Sequence, residues 1–284
     1  NYQSQRSAGN FDVTIKNVDH HVVSLLSKRW NDEAQMVAGR VVSLESKGIF
    51  GDQKAAGSLN VKLVGADIRV KNGAWPPGPM DVEYELKDAV ISFGGGKLIF
   101  ETETNLLNVK QDGDEIASYD IKTSVKDSDY SFNIKSLDLK PPFTSLGLKK
   151  WLPNQEVKPG RLTVNESELQ LDSKGNGHFK GNIEFSGFAF PSSESGGEPA
   201  RLDSSFIIDA GATNHVFSIK RFTANLPLTA KAKNEGTISG HVDLSNPSAP
   251  SGRIQLKSDA LDITPLVALL KPAKVQAKGQ AASK

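Results

Sequence analysis

Met80-Asp81-Val82-Glu83-Tyr84-Glu85-Leu86 sets an apolar side chain at every second position and an acid at each position between. Successive side chains of an extended chain point to opposite faces, so this segment is apolar on one face and charged on the other. Wound as a helix, the same residues would scatter around the circumference. The stretch reads as a strand half-buried in an antiparallel sheet.

The rhythm recurs in both directions from there. Phe11, Val13 and Ile15 stand two apart, as do Leu59, Val61 and Leu63. In the second half the spacing returns at Leu169 and Leu171, Ile183 and Phe185, Phe206 and Ile208, and Phe217 and Ile219, then at Ile238, Gly240, Val242 and Leu244. Turn-forming clusters separate these runs: Gln111-Asp112-Gly113-Asp114, Lys126-Asp127-Ser128-Asp129 and Ser173-Lys174-Gly175-Asn176-Gly177. Gly94-Gly95-Gly96-Lys97 joins the alternating flanks Ile91–Phe93 and Leu98–Phe100 and predicts a hairpin turn. It is not a phosphate-binding loop, since Leu98 follows where Ser or Thr is needed. The spacing implies roughly fifteen strands.

Three helical patterns interrupt the strands. Asp19 to about Met36 carries Val22, Leu25, Leu26 and Trp30 on one side, with Asp19 placed to cap the N-terminus. Thr144–Leu152 and Thr264–Leu270 are shorter, the first bounded by Pro141-Pro142 and Pro153, the second with Pro265 at an early position. The helices are too few to cover the apolar faces of so many strands, so the sheets must cover themselves or leave a face open. The fold class is mostly β: many antiparallel strands curled into an elongated groove or stacked as a sandwich, with two or three short helices. Residues 1–140 form an N-terminal β region, 141–160 a connecting segment, 161–272 a C-terminal β region ending in a helix, and 273–284 a tail. Ser192–Glu198 reads as an exposed loop.

Composition narrows the function classes. Among 284 residues, 34 Lys and Arg face 33 Asp and Glu, and the signs alternate without forming a basic stripe, so nucleic acid has no electrostatic footprint. No cysteine is present, which excludes disulfides, thiolate metal sites and a cysteine nucleophile. No apolar run reaches the length of about 18 residues needed to span a bilayer. The chain starts at Asn1, which points to a processed or excised piece with a signal or anchor upstream. None of the five histidines pairs at metal-site spacing, and His20 and His21 are expected on different sides of a helix. Asp112, Asp114 and Glu115 lack the remaining ligands of a calcium loop. Asn165-Glu166-Ser167 fits a glycosylation sequon, and Trp75-Pro76-Pro77-Gly78-Pro79 reads as a rigid connection with a half-packed Trp. No nucleophile elbow, His-Glu-x-x-His pair, catalytic residue, cofactor or metal ligand is assigned.

The last third has a recognisable texture. Phe217-Ser-Ile-Lys-Arg-Phe-Thr-Ala-Asn-Leu-Pro-Leu-Thr-Ala-Lys-Ala and Gly236-Thr-Ile-Ser-Gly-His-Val-Asp-Leu-Ser-Asn-Pro resemble the tail regions of AsmA-like, TamB-related bacterial envelope proteins. Gly252-Arg-Ile-Gln-Leu-Lys-Ser-Asp-Ala-Leu-Asp-Ile-Thr-Pro-Leu-Val-Ala-Leu-Leu looks like that family's recurring strand and leucine-rich short helix. The rest of the chain shares only the strand rhythm. The resemblance implies antiparallel strands curled into a groove with a hydrophobic interior, and inner-membrane attachment through an N-terminal helix outside this chain. It further implies a periplasmic role in lipid transport, lipid homeostasis or outer-membrane assembly, with phospholipid or another envelope lipid and other envelope proteins as partners, and no catalytic residues. The expected lipid-lining residues are Leu169, Leu171, Ile183, Phe185, Phe206, Ile208, Phe217 and Ile219. Such a wall gains about 0.8 kcal/mol per buried CH₂. The alternative is a structural or adhesive β-sandwich whose closed core contains these same residues. An enzyme on an unrecognised β fold is a third reading, with none of the usual constellations behind it.

Overall fold

A computed structural model describes residues 8–30, 34–51, 53–71, 75–76, 78–94, 97–151, 157–190, 200–227, 232–246 and 248–262. The order is β1 (Gly9–Asp19), α1 (His20–Trp30), β2 (Ala34–Gly51), β3 (Lys54–Val70), β4 (Met80–Gly94), β5 (Lys97–Thr102), β6 (Thr104–Gln111), β7 (Asp114–Lys126) and β8 (Asp129–Leu139). There follow α2 (Phe143–Trp151), β9 (Arg161–Leu171), β10 (Gly177–Phe190), β11 (Ala200–Thr213), β12 (Val216–Asn225), β13 (Glu235–Asp243) and β14 (Ser251–Lys257). The third expected helix, the Ser192–Glu198 loop and the 273–284 tail lie outside the described residues.

All fourteen strands form one antiparallel sheet, and apart from β5 and β6, which do not pair with one another, each pairs with its neighbours in sequence. β5 and β6 are two pieces of one strand. Both lie against β4 at a single register, Val90 opposite Glu101 and Lys87 opposite Thr104, with Glu103 between the pieces. The sheet is therefore a meander that opens at β1 and ends at β14. The almost all-β reading holds, and the described strands make a single sheet, not a stacked pair. β8 and β9 flank the 141–160 segment and pair directly, so the sheet runs unbroken past it.

Directly opposed residues share a face, which makes the two faces readable from the register. One row runs Ile15, Leu44, Val61, Tyr84, Leu107, Tyr119, Leu137, Val164, Ile183, Phe206, Ala224 and Gly236, from β1 to β13. The opposite face carries the interleaved charges, tied across strands by Lys62–Glu83 (2.6 Å), Lys122–Glu103 (2.7 Å) and Lys135–Asp120 (3.1 Å).

Strict alternation does not survive the length of a strand; β-bulges reset it. In β9 the apolar positions change from Leu162 and Val164 to Leu169 and Leu171, and Glu166 absorbs the extra residue at φ 44°. Asn17 (φ 53°) in β1, Asp88 (φ 50°) in β4 and Gly187 (φ 72°) in β10 do the same. Each bulge also bends and twists its strand locally. The sequon residues Asn165-Glu166-Ser167 thus form a bulge, in which the Ser167 hydroxyl donates to Asn165 O (2.8 Å) and accepts from Asn182 N (3.1 Å).

The first helix differs from its expected form. It ends at Trp30, and Met36 is a buried strand residue of β2, because pairing with Ile68 of β3 takes it. Val22 and Leu25 are 49% and 70% exposed, whereas Val23 and Ser24 turn inward and Ser24 Oγ donates to Met36 O (3.2 Å). Where β2 begins, not the helix's own periodicity, decides which side meets the sheet. Asp19 caps the helix as expected, accepting from His21 N at 2.9 Å.

Ser167 is buried under Gly181, where a Cβ would sit 1.8 Å from Ser167 Oγ and 2.8 Å from its Cα. Gly181→Ala must spread β9 from β10 and is expected to cost about 1–3 kcal/mol. A denaturant midpoint equal to that of the unaltered chain would show that the bulge is not packed this tightly.

Candidate functional site: an open apolar face

The apolar face divides into two halves along the strand direction. The ten buried hydrophobic residues, among them Met36, Ala66, Met80, Val109, Val164 and Phe188, lie toward the rim that bears α1, the Trp75–Pro76 loop and α2. There Met80, Val82, Val109, Ile116 and Ala117 pack together, with Trp75 and Phe143 laid over them. The two aromatic rings meet edge to face at 5.3 Å, the geometry favoured by ring quadrupoles. Thr144 Oγ1 donates to Gly160 O (2.8 Å) and holds α2 against the start of β9. Trp75 is thus part of a rigid, half-packed connection.

In the middle of the face, side chains are half-buried and touch mainly their neighbours within the sheet. Phe188, Phe185, Phe206 and Phe222 form a chain of aromatic contacts across β10, β11 and β12, with centroids 5.6, 5.8 and 5.7 Å apart. Tyr84 and Tyr119 lie in the same face on β4 and β7. Burial raises the Tyr84 hydroxyl, and burial together with the neighbouring Tyr84 pushes Tyr119 up to about 12.

The opposite rim carries the connections after β2, β4, β7, β9, β11 and β13. Here the apolar side chains face solvent: Phe50, Phe93, Leu98, Tyr130, Leu171 and Phe217 are all exposed. The expected hairpin at Gly94–Lys97 is present, with Phe93 opposite Leu98.

All eight residues expected to line a lipid site fall on this one face. Leu169 and Leu171 come from β9, Ile183 and Phe185 from β10, Phe206 and Ile208 from β11, and Phe217 and Ile219 from β12. Leu171 and Phe217 sit at the open rim and the other six are half-buried. Sequence reading missed Phe179, which continues the spacing of Ile183 and Phe185, and also Phe188 and Phe222, which bulges move out of phase with their neighbours. It also missed the side-chain oxygens of Asn105 and Ser204, buried on this face with no hydrogen-bond partner.

The polar face has a hollow of about 570 Å³, lined by residues such as Lys62, Glu83, Asn108 and Asp120. Several of its side chains are paired with one another. Arg161 makes a two-pronged pair with Asp138 (2.8 and 2.9 Å), and His178 Nε2 lies 2.8 Å from Asp209 Oδ1, a contact that holds the Asp209 carboxyl below its usual range. Asp112 and Gly113 form a turn at positive φ, and Glu115 is engaged by Asn108 and by Ser118 (3.0 Å). His20 and His21 do not diverge as expected: both Nδ1 atoms lie 3.2 Å from Asp19 Oδ1, since the cap draws both rings to one carboxylate. This is the one grouping of three metal-ligating side chains among the described residues. It is solvent-facing, and its carboxylate already accepts from the helix backbone.

Tyr119 supplies a pH test of how well the face excludes water. A phenol whose pKa rises on folding binds its proton more tightly in the native state, so its contribution is present below about 10 and is lost as pH climbs toward about 12. The denaturant midpoint should therefore decline over that alkaline window, and Tyr119→Phe should flatten the decline. An unchanged slope in the variant would mean that Tyr119 is solvated. No protein-family model, curated protein or solved structure matches this chain.

Proposed function

We propose that this chain is a non-enzymatic lipid-handling module of the bacterial periplasm, holding or conveying acyl chains on its apolar face. The observation behind this reading is a single sheet with one face apolar from β1 to β14, whose buried core is confined to the helix-bearing half. A closed sandwich would bury the middle of that face, where Leu169, Ile183, Phe206 and Ile208 are instead half-buried. Dispersion contact with the phenylalanine chain suits a long, featureless hydrocarbon and asks for no polar recognition. Each methylene taken up is worth about 0.8 kcal/mol, so a chain laid along several strands binds without a single charged contact. The texture shared with AsmA-like proteins supports the same reading and supplies the envelope setting: lipid homeostasis or outer-membrane assembly, with an inner-membrane anchor outside this chain.

Native mass spectrometry of the purified chain, with solvent extraction of whatever co-purifies, tests the proposal. Stoichiometric phospholipid or other envelope lipid is expected, and Phe206→Asp should abolish it while leaving the chain folded. A lipid-free, stably folded chain that takes up no phospholipid on reconstitution would favour the structural or adhesive reading instead.

A further inference from the structure

The rim of turns is chemically unlike the rim that carries the helices. On the helix side Trp75 and Phe143 cover Met80, Val82, Val109, Ile116 and Ala117, and α1 lies against β2. On the turn side one register row crosses the sheet through Phe50, Ile91, Phe100, Tyr130, Leu171 and Phe217. Every position of this row, from Gly9 in β1 to Gly252 in β14, is apolar, glycine or tyrosine. Phe93 and Leu98 extend the apolar surface one step further out, at 57% and 40% exposed. Ile49, on the other face of β2, is 62% exposed beside them.

At about 4.8 Å per strand the row is roughly 60 Å long, while it is only one or two residues deep. A protein groove rarely offers so long and thin a complement. An extended apolar phase does. Tyrosine, phenylalanine and leucine at one level, with lysine stems at the turns, is the composition that settles at the boundary between acyl chains and headgroups. Lys54, Lys97 and Lys126 lie at these turns, but Lys97 is paired with Asp127 (2.9 Å) and Lys126 with Glu101 (3.2 Å). Little net charge remains, so attachment has to come from apolar insertion.

We infer that this rim docks on a lipid bilayer surface, inserting Phe50, Phe93, Leu98 and their row neighbours at the interface, so that the apolar face opens directly onto the acyl region. The inference rests on the lipid-handling reading for its purpose, but it has its own readout. A hydrocarbon chain leaving the bilayer at this rim reaches the middle of the face along the strands without crossing water. The helix-bearing rim, already packed, forms the far end of that path.

Co-sedimentation of the full chain with phosphatidylcholine vesicles tests it. The chain is expected to pellet with these uncharged vesicles and to do so equally at low and high salt, since screening removes only charge-driven attachment. The double substitution Phe50→Ser and Phe93→Ser removes two already exposed rings and should lower partitioning by about tenfold or more. Phe206→Asp, in the middle of the face, should still pellet while losing bound lipid, which separates failure of docking from failure of lipid holding. The inference is overturned if the unaltered chain stays in the supernatant. It is equally overturned if binding needs anionic lipid and vanishes with salt, or if the rim substitutions disperse a dimer without affecting vesicles.

Discussion

Opposed residues in an antiparallel ladder share a face, and this chain maintains that correspondence from its first strand to its last. The consequence is a sheet in which hydrocarbon and charge are separated by the thickness of one backbone. Keeping the separation requires that every strand stay in phase with both neighbours. A slip of one residue would send its whole apolar set to the charged side. The bulges at Asn17, Asp88, Glu166 and Gly187 are therefore part of the specification: each lets a strand bend without losing phase. Gly181 shows how closely the device is built, since its lack of a side chain is what admits Ser167 beneath the neighbouring strand.

A sheet of this kind has more apolar surface than the two helices among the described residues can cover. The helices, with the Trp75 loop, are all spent at one end of the strands, where they complete a conventional packed core around Met80 and Val109. That core anchors the fold. The remaining face is held together by contacts within the sheet and by backbone pairing, while cross-strand ion pairs such as Lys62–Glu83 add modest, salt-sensitive support on the other side. Stability and openness are thereby assigned to different ends of the same strands.

Much of this was legible in the sequence because the period of two is carried by large residues. Met80 to Leu86, Phe206 and Ile208, and Phe217 and Ile219 each announce a strand and its inner face. The turns were equally plain, since Gly113, Gly175 and the glycines after Phe93 permit conformations other residues resist. The bulges were not legible: a shift from even to odd apolar positions looks like the end of one strand and the start of another. For that reason Phe188 and Phe222 were missed while Phe185 and Ile219 were found. The orientation of α1 was also hidden, because its inward side depends on where β2 begins. The segregation of buried and exposed residues to opposite rims is invisible in sequence altogether. It appears only once the register aligns distant residues such as Phe50 and Phe217 in one row.

Among the described residues each strand pairs only with the strands that flank it in the meander, and none of these pairings closes the sheet or counts its strands. Removing or duplicating one hairpin would return the chain to the same rim, in the same direction, with the same face toward hydrocarbon. Its width is thus a modular quantity, set by how many hairpins a gene encodes, as in repeat proteins whose energetics are summed over nearest neighbours. Growth by tandem duplication would lengthen such a surface without redesigning any interface within it.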